Sequence, residues 1–341
     1  MQLLHLPPEI LKQVFNYIGS PFFQEDLTRL AISKKWFEFA QYTSYQHVTF
    51  SPRKLHEFIS SQMVTRPDVL RSSLESLIIK FGTHKASVNS FGSREPTVGA
   101  GSYEALCEST DGDLEQLATI IQQAPKLRFL RIEAYGSQRP DPLDGSEDHI
   151  SLNSIQAVLT VDHLTSLAID LPGGVLTSSG GREEACHICP NIGALIHKLK
   201  YLRLRMRNIC PAAIRPRDSA ERLSLNRLIV NLSLKMDLPG ITSAAHSKRC
   251  GPPSEGRFLQ LKAEVQEQAE TLGAKMASPK LIRILTHTFP QLETHSLDVL
   301  SGGTMLLEDR MRWDDDGNIV EDEQGAESNF SEGESLSWFD T

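Results

Sequence analysis

The sequence predicts an α/β chain: three short N-terminal helices, then an irregular solenoid of strand–helix repeats, then a disordered acidic tail. Three observations lead there. The first fifty residues are rich in apolar side chains at helical spacing and contain a single glycine. A leucine pattern, L-x-x-L-x-φ with φ apolar, recurs five times between residues 74 and 230. The excess acidity is confined to the C-terminal end: from Trp313 onward there are five Asp, five Glu and no Lys or Arg, so the preceding 312 residues carry +2 of a net −8. With 40% hydrophobic and 23% charged residues, the chain has enough apolar surface for a sizeable core, which excludes wholesale disorder. Its 341 residues allow one to three domains at about 150 residues each. A near-neutral body without a basic stripe argues against nucleic acid as a partner. No apolar run approaches the roughly 18–20 residues of a membrane span, so no membrane is expected. The start, Met1–Glu9, lacks the basic and apolar regions of a secretory signal. Five cysteines, an odd count, fit a reducing compartment, cytoplasm or nucleus.

The first helix opens at Leu6-Pro7-Pro8-Glu9. Proline costs nothing in a first turn, and Glu9 suits the positive end of the helix. Ile10, Leu11, Val14, Phe15 and Ile18 then form one apolar face, and Gly19-Ser20-Pro21 ends it. A second helix is predicted from about Gln24 to Ser33 on Leu27, Leu30 and Ala31. The third, from about Lys34 to Tyr45, rests on Trp36, Phe37, Phe39 and Ala40. A helical unit this small struggles to bury its apolar surface alone, so part of that surface is expected to belong to a partner.

Leu6-Pro-Pro-Glu-Ile-Leu11, Val14-Phe15, Ile18, Asp26-Leu27, Leu30-Ala31, Ser33 and Trp36-Phe37 together resemble an F-box. Tyr45–Phe50 resembles the short strand that often follows it in fungal members. The resemblance covers about 45 residues and rests on apolar positions rather than an invariant signature. It implies docking onto the Skp1 adaptor of a cullin–RING ubiquitin ligase, through Leu6, Pro7, Ile10, Leu11, Phe15, Leu27, Leu30 and Trp36. The plain alternatives are core packing for each residue and a generic three-helix cap for the unit.

The five leucine units are Leu74–Ile79, Leu127–Ile132, Leu164–Ile169, Leu199–Leu204 and Leu225–Val230, with a weaker sixth at Leu292–Leu297. Helical stretches are expected at Asp113–Gln123, Leu152–Leu159, Asn191–Lys198 and Lys280–Thr288. One strand and one helix per unit, each unit burying its leucines against its neighbours, is the logic of a leucine-rich repeat. Successive units are 53, 37, 35 and 26 residues apart, against roughly 20–29 in a regular array. The excess falls in Gly/Ser/Pro-rich inserts at Gly82–Gly112, Tyr135–His149, Pro172–Glu184 and Leu238–Gly256, read as surface loops. A non-repeat α/β domain with coincidental leucines is the alternative. A packing helix is expected at about Arg257–Lys275, and a hairpin at Met311–Val320 around Asp316-Gly317. The predicted organisation is therefore an F-box over 1–46, a leucine-rich-repeat-like domain over 47–312, and a hairpin with an acidic disordered tail over 313–341.

Motifs that advertise chemistry are scarce. Cys186-His-Ile-Cys189, with His197 and Cys210 in range, lacks the second C-x-x-C pair that a structural zinc site usually shows, so no metal is expected. Asp314–Asn318 has Ile319 where a calcium loop needs glycine, and Gly99-Ala-Gly101 has neither a preceding strand nor a following lysine. No hydrolase, metalloprotease or kinase signature is present, and neither enzyme activity nor a cofactor is expected. The leading expectation is a substrate-recognition adaptor of an SCF-type ubiquitin ligase, with Skp1 and, through it, cullin as partners. The alternative is a non-catalytic interaction scaffold acting outside ubiquitin transfer; an enzyme hidden in residues 82–256 ranks third. Strand alternation puts Arg203, Arg205 and Arg207 on one open face, with Arg131 and Glu133, Asp170 and Asn231 on the same face of neighbouring strands. Arg131, Arg203, Arg205 and Arg207 then form a candidate site for an acidic or phosphorylated protein target. The alternative is a strand face balanced by nearby carboxylates. The tail is a candidate lid over that strip and a candidate kinase substrate at Ser331 and Ser337.

Overall fold

Runs of five or six residues that alternate apolar with polar become strands here, and most of them join one sheet. The computed structural model describes residues 5–61, 68–81, 100–134, 148–177, 187–217, 222–234, 246–251, 257–288, 293–308 and 318–319. In chain order the strands are β1 (His47–Phe50), β2 (Ser76–Phe81), β3 (Phe129–Ala134), β4 (Asp148–Ser151), β5 (Ser166–Leu171), β6 (Gly174–Thr177) and β7 (Tyr201–Met206). They continue with β8 (Asn208–Ile209), β9 (Arg227–Asn231), β10 (Lys248–Arg249), β11 (Leu281–His287), β12 (Thr294–Asp298), β13 (Thr304–Leu307) and β14 (Asn318–Ile319). The helices are α1 (Pro8–Ile18), α2 (Ser20–Glu25), α3 (Lys34–Ser44), α4 (Pro52–Ser60), α5 (Asp68–Ser73), α6 (Ala100–Gln122), α7 (Leu152–Val158), α8 (Cys189–Leu195) and α9 (Arg257–Lys275). Two 3-10 turns span Leu27–Leu30 and Pro211–Ile214.

The main sheet runs β1-β2-β3-β5-β7-β9-β11-β12-β13-β14. It is parallel as far as β11 and antiparallel beyond. Its register explains the leucine pattern. The second leucines pair across strands as Leu77, Leu130, Leu167, Leu202 and Leu228, and the third positions as Ile79, Ile132, Ile169, Leu204 and Val230. All ten are buried in one core with α4 to α9 on the same side. Below each strand the same joint recurs. The amides of Glu75 and Ser76 donate to the Gln46 carbonyl, those of Arg128 and Phe129 to Glu75, and those of Thr165 and Ser166 to Arg128. Thr165, Lys200 and Asn226 accept the next three pairs, at distances between 2.7 and 3.2 Å throughout the stack. Every unit is thus joined to the one before it and the one after it, as in a nearest-neighbour stack.

The rows extend past the leucines at both ends. Val48 and Phe50 of β1 stand in register with Leu77 and Ile79, and Ile282 and Ile284 of β11 with Leu228 and Val230. Leu281–His287, inside the stretch 280–288 expected as helix, therefore form a strand. Seven residues carrying Leu281, Ile282, Ile284 and Leu285 suit either state, and the free edge of β9 decides. The weak copy at 292–297 becomes the antiparallel β12, with Leu292 outside the described residues.

The inserts are more structured than expected. α6 begins at Ala100, inside the first one; β4 and β6 pair as a small parallel sheet, and so do β8 and β10. The α9 boundaries match the expectation, with Leu261, Val265, Leu272 and Met276 buried. β14 pairs antiparallel with β13, but the Asp316-Gly317 turn and the tail from 320 onward lie outside the described residues. Among the described residues no helix is long and apolar enough to cross a membrane.

Candidate functional site

The N-terminal helices form a unit with its own core. Pro8 starts α1, and Gly19 ends it at φ +79°, a backbone conformation that only glycine adopts without strain, with its amide donating to the Phe15 carbonyl. The second predicted helix divides in two. Asp26 leaves helical geometry and its carboxylate accepts from the Thr28 hydroxyl at 2.6 Å and the Thr28 amide at 2.9 Å, so α2 stops and a 3-10 turn begins. Those hydrogen bonds, the hydroxyl's first, hold the Asp26 carboxyl below its ordinary range. Ser33 caps α3 by accepting from the Trp36 amide. At the centre, the Phe15 ring lies 4.6 Å from Trp36, 5.8 Å from Phe23 and 6.0 Å from Phe39. The Trp36 indole donates to the Arg29 carbonyl at 2.6 Å.

The eight residues singled out for Skp1 divide by burial. Leu11 and Phe15 are interior, and Leu6, Leu30 and Trp36 are half-buried against that interior. Pro7 and Ile10 are exposed, and the Leu27 side chain lies outside the described residues. The unit also exposes Tyr17, Phe22, Ile32 and Tyr42, which sequence reasoning passed over. Of nine exposed large apolar side chains among the described residues, six lie here: Ile10, Tyr17, Phe22, Ile32, Phe37 and Tyr42. Tyr17 is 96% exposed and Ile32 63%. A signal was present in α1, which carries two parallel stripes: Leu11, Phe15 and Ile18 face the core, while Ile10, Val14 and Tyr17 at the same spacing flank it.

The second predicted site lies on the sheet face opposite the helices. Glu133, Asp170, Arg205 and Asn231 stand in one cross-strand row, and Arg131, Ala168 and Arg203 in the next. This is the arrangement that alternation predicts, but its electrostatics are largely internal. The Arg205 guanidinium grips Asp170 with two bonds, 2.6 and 2.9 Å, and Asp170 is fully buried. Arg131 pairs with Glu133 and stands 4.0 Å from Asp170, while Lys80 reaches Glu133 at 3.4 Å. The fork of Arg205 is therefore occupied by the protein's own carboxylate, and Arg131 is engaged too, the balanced strand face given above as the alternative to a target site. Arg203, in the same row as Arg131, and Arg207, just past the end of β7, are half-exposed.

The structure regroups the metal donors. Cys186 lies outside the described residues and His197 is exposed and apart, whereas His187, Cys189, Cys210 and Cys250 converge. A scan against protein-family models found no match, and a search of curated proteins found none either.

Proposed function

We propose that the chain is the substrate-receptor subunit of an SCF-type ubiquitin ligase, with the N-terminal helices as its F-box and the strand–helix units as a leucine-rich-repeat domain. In this reading the helical unit docks Skp1, which links the chain to cullin. The repeat domain holds a protein target, and the receptor contributes proximity rather than bond chemistry. The observation that carries the reading is the concentration of exposed apolar side chains on a unit of about forty residues that has its own core. Because Leu11 and Phe15 are interior, the contact role falls to Pro7 and Ile10, joined by Tyr17 and Phe37. On the sheet face, Arg203 and Arg207 are the candidates more open to solvent than Arg205.

The test is co-purification of the full chain with Skp1 and cullin. Capture of both supports the receptor, and capture of Skp1 without cullin supports the scaffold reading. Failure to bind Skp1 overturns the assignment. Ile10→Asp with Tyr17→Asp should weaken Skp1 capture at least about tenfold while leaving the circular dichroism spectrum unchanged, since neither side chain is in the core.

A further inference from the structure

A cluster away from both surfaces has the chemistry of a metal centre. His187 stands just before α8, Cys189 is its first residue, Cys210 precedes the 3-10 turn Pro211–Ile214, and Cys250 follows β10. Their donor atoms all lie within 4.8 Å of one another. Cys189 Sγ is 3.8 Å from Cys250 Sγ although 61 residues separate them, and Cys210 Sγ is 3.8 Å from His187 Nδ1.

Two separate devices of the fold bring the donors together. The parallel pairing of β10 with β8 sets Arg249 opposite Ile209, and the Cys250 amide donates to the Ile209 carbonyl at 3.3 Å, which places Cys250 beside Cys210. α8 presses against the 3-10 turn at Gly193, so closely that a Cβ there would stand 2.4 Å from the Ala212 carbonyl oxygen and 2.6 Å from that of Arg215. That approach brings Cys189 to Cys210. It also explains a glycine in the middle of a short helix, where its conformational freedom is otherwise a cost.

We infer that His187, Cys189, Cys210 and Cys250 bind one zinc ion as a structural Cys3His site. Zn–S bonds of about 2.3 Å and Zn–N bonds of about 2.0 Å set neighbouring corners of a tetrahedron roughly 3.5–3.8 Å apart, and both 3.8 Å separations fit that edge. Sulfur atoms at this separation are not bonded to each other, since a disulfide needs about 2.05 Å. Three soft thiolates and an imidazole select zinc over harder divalent ions. Four protein ligands leave no open position, so the site is structural rather than catalytic. A cleft of ≈ 530 Å³ lined by His187, Cys210, Cys250 and Glu264 gives the ion a route in. The ion would tie the segment before β7 and the one after β9 to a single point beside α9, adding its binding free energy to that of folding.

The full chain, grown with zinc and purified reduced without chelator, should contain about one zinc per chain by elemental mass spectrometry. Chain produced with cobalt instead should show thiolate-to-cobalt charge transfer and a tetrahedral d–d spectrum. Cys210→Ser and Cys250→Ser should each lower the zinc content severalfold, and Cys186→Ser should keep it. Should those variants misfold, the wild-type metal content and the cobalt spectrum still decide. Wild-type protein with less than about a tenth of an equivalent and no cobalt spectrum overturns the site. A Cys189–Cys250 disulfide found by mass spectrometry in reduced preparations overturns it as well. Zinc lost in Cys186→Ser but kept in His187→Ala overturns the ligand set.

Discussion

Asp170 is a carboxylate with no access to water, gripped by the two-pronged fork of Arg205 and approached by Arg131 from the other side. Such a pair adds little net stability over apolar residues of the same size, but removing one member leaves the other buried and uncompensated, at about 3–5 kcal/mol. Arg205→Ala should therefore cost about 3 kcal/mol, the low end because Arg131 remains near Asp170, and urea unfolding would read it as a lower midpoint. Arg53→Ala, which breaks only the exposed Arg53–Glu57 pair on α4, should change stability by no more than about 0.5 kcal/mol. Equal effects would mean that the sheet-face ladder is not organised around Asp170. The same logic of burial governs His246, whose ring stacks on His287 and Phe258 at 3.7 Å and donates to the His287 carbonyl at 3.1 Å. Burial, with Lys262 adding to it, pushes the His246 pKa below its ordinary 6.5, against the pull of that carbonyl. Below pH 6.5 the unfolded chain takes up a proton that the folded ring resists. The stabilisation is thus complete above that pH and is lost as pH falls through the lowered folded value. Denaturation between pH 7 and 5.5 should show that slope, and His246→Asn should flatten it.

At the scale of elements, the close approach of α8 to the 3-10 turn makes two glycines behave oppositely. Gly193→Ala forces a methyl into the carbonyls of Ala212 and Arg215 and should cost about 1–3 kcal/mol. Gly112→Ala, in α6 with nothing within 4 Å of its added carbon, should stabilise by about 0.5–1 kcal/mol through helix propensity alone. Thermal melts of the two variants should move in opposite directions; a neutral Gly193→Ala would show that the helix and the turn are not pressed together. Element type was legible wherever one residue kind marked the ladder. The five strands with leucine at the second ladder position could be read directly. β11 could not, and β1 only through the F-box resemblance, because Val48 and Phe50, or Ile282 and Ile284, fill the same rows with Tyr45 and Pro279 in the place of the first leucine. α2 was misplaced because apolar spacing cannot reveal that the Asp26 side chain satisfies the amide and hydroxyl of Thr28. The cysteine cluster was hidden for a related reason. Its donors come from three segments far apart in the sequence, the start of α8, the residue before the second 3-10 turn and the one after β10, and the adjacent Cys186-x-x-Cys189 spacing points to a different pair.

Across the whole molecule, the core divides between the first forty-five residues and the rest. Leu11, Phe15, Phe23 and Ala40 form one cluster, and the ladder from Val48 to Ile284 forms another. The joint between them includes polar contacts: Gln24 donates to the carbonyl of His47, and Gln46 donates to Asn16. Polar joints couple domains weakly compared with a shared apolar interior. The two parts should therefore open separately, the small one first, since a unit of that size buries little per residue. Phe15→Ala removes the centre of the small cluster and should cost it about 3–5 kcal/mol, enough to melt the helices at room temperature. Leu202→Ala, in the middle of the ladder, should cost the sheet about 2–5 kcal/mol and leave the helices as they were. Hydrogen exchange on the full chain separates the cases. Phe15→Ala should deprotect amides of α1 and α3 while those of β3, β5 and β7 keep wild-type rates, and Leu202→Ala should do the reverse. Loss of protection throughout the chain in both variants would mean one cooperative core, and the helical unit could not then be a module that gains its full stability from a partner.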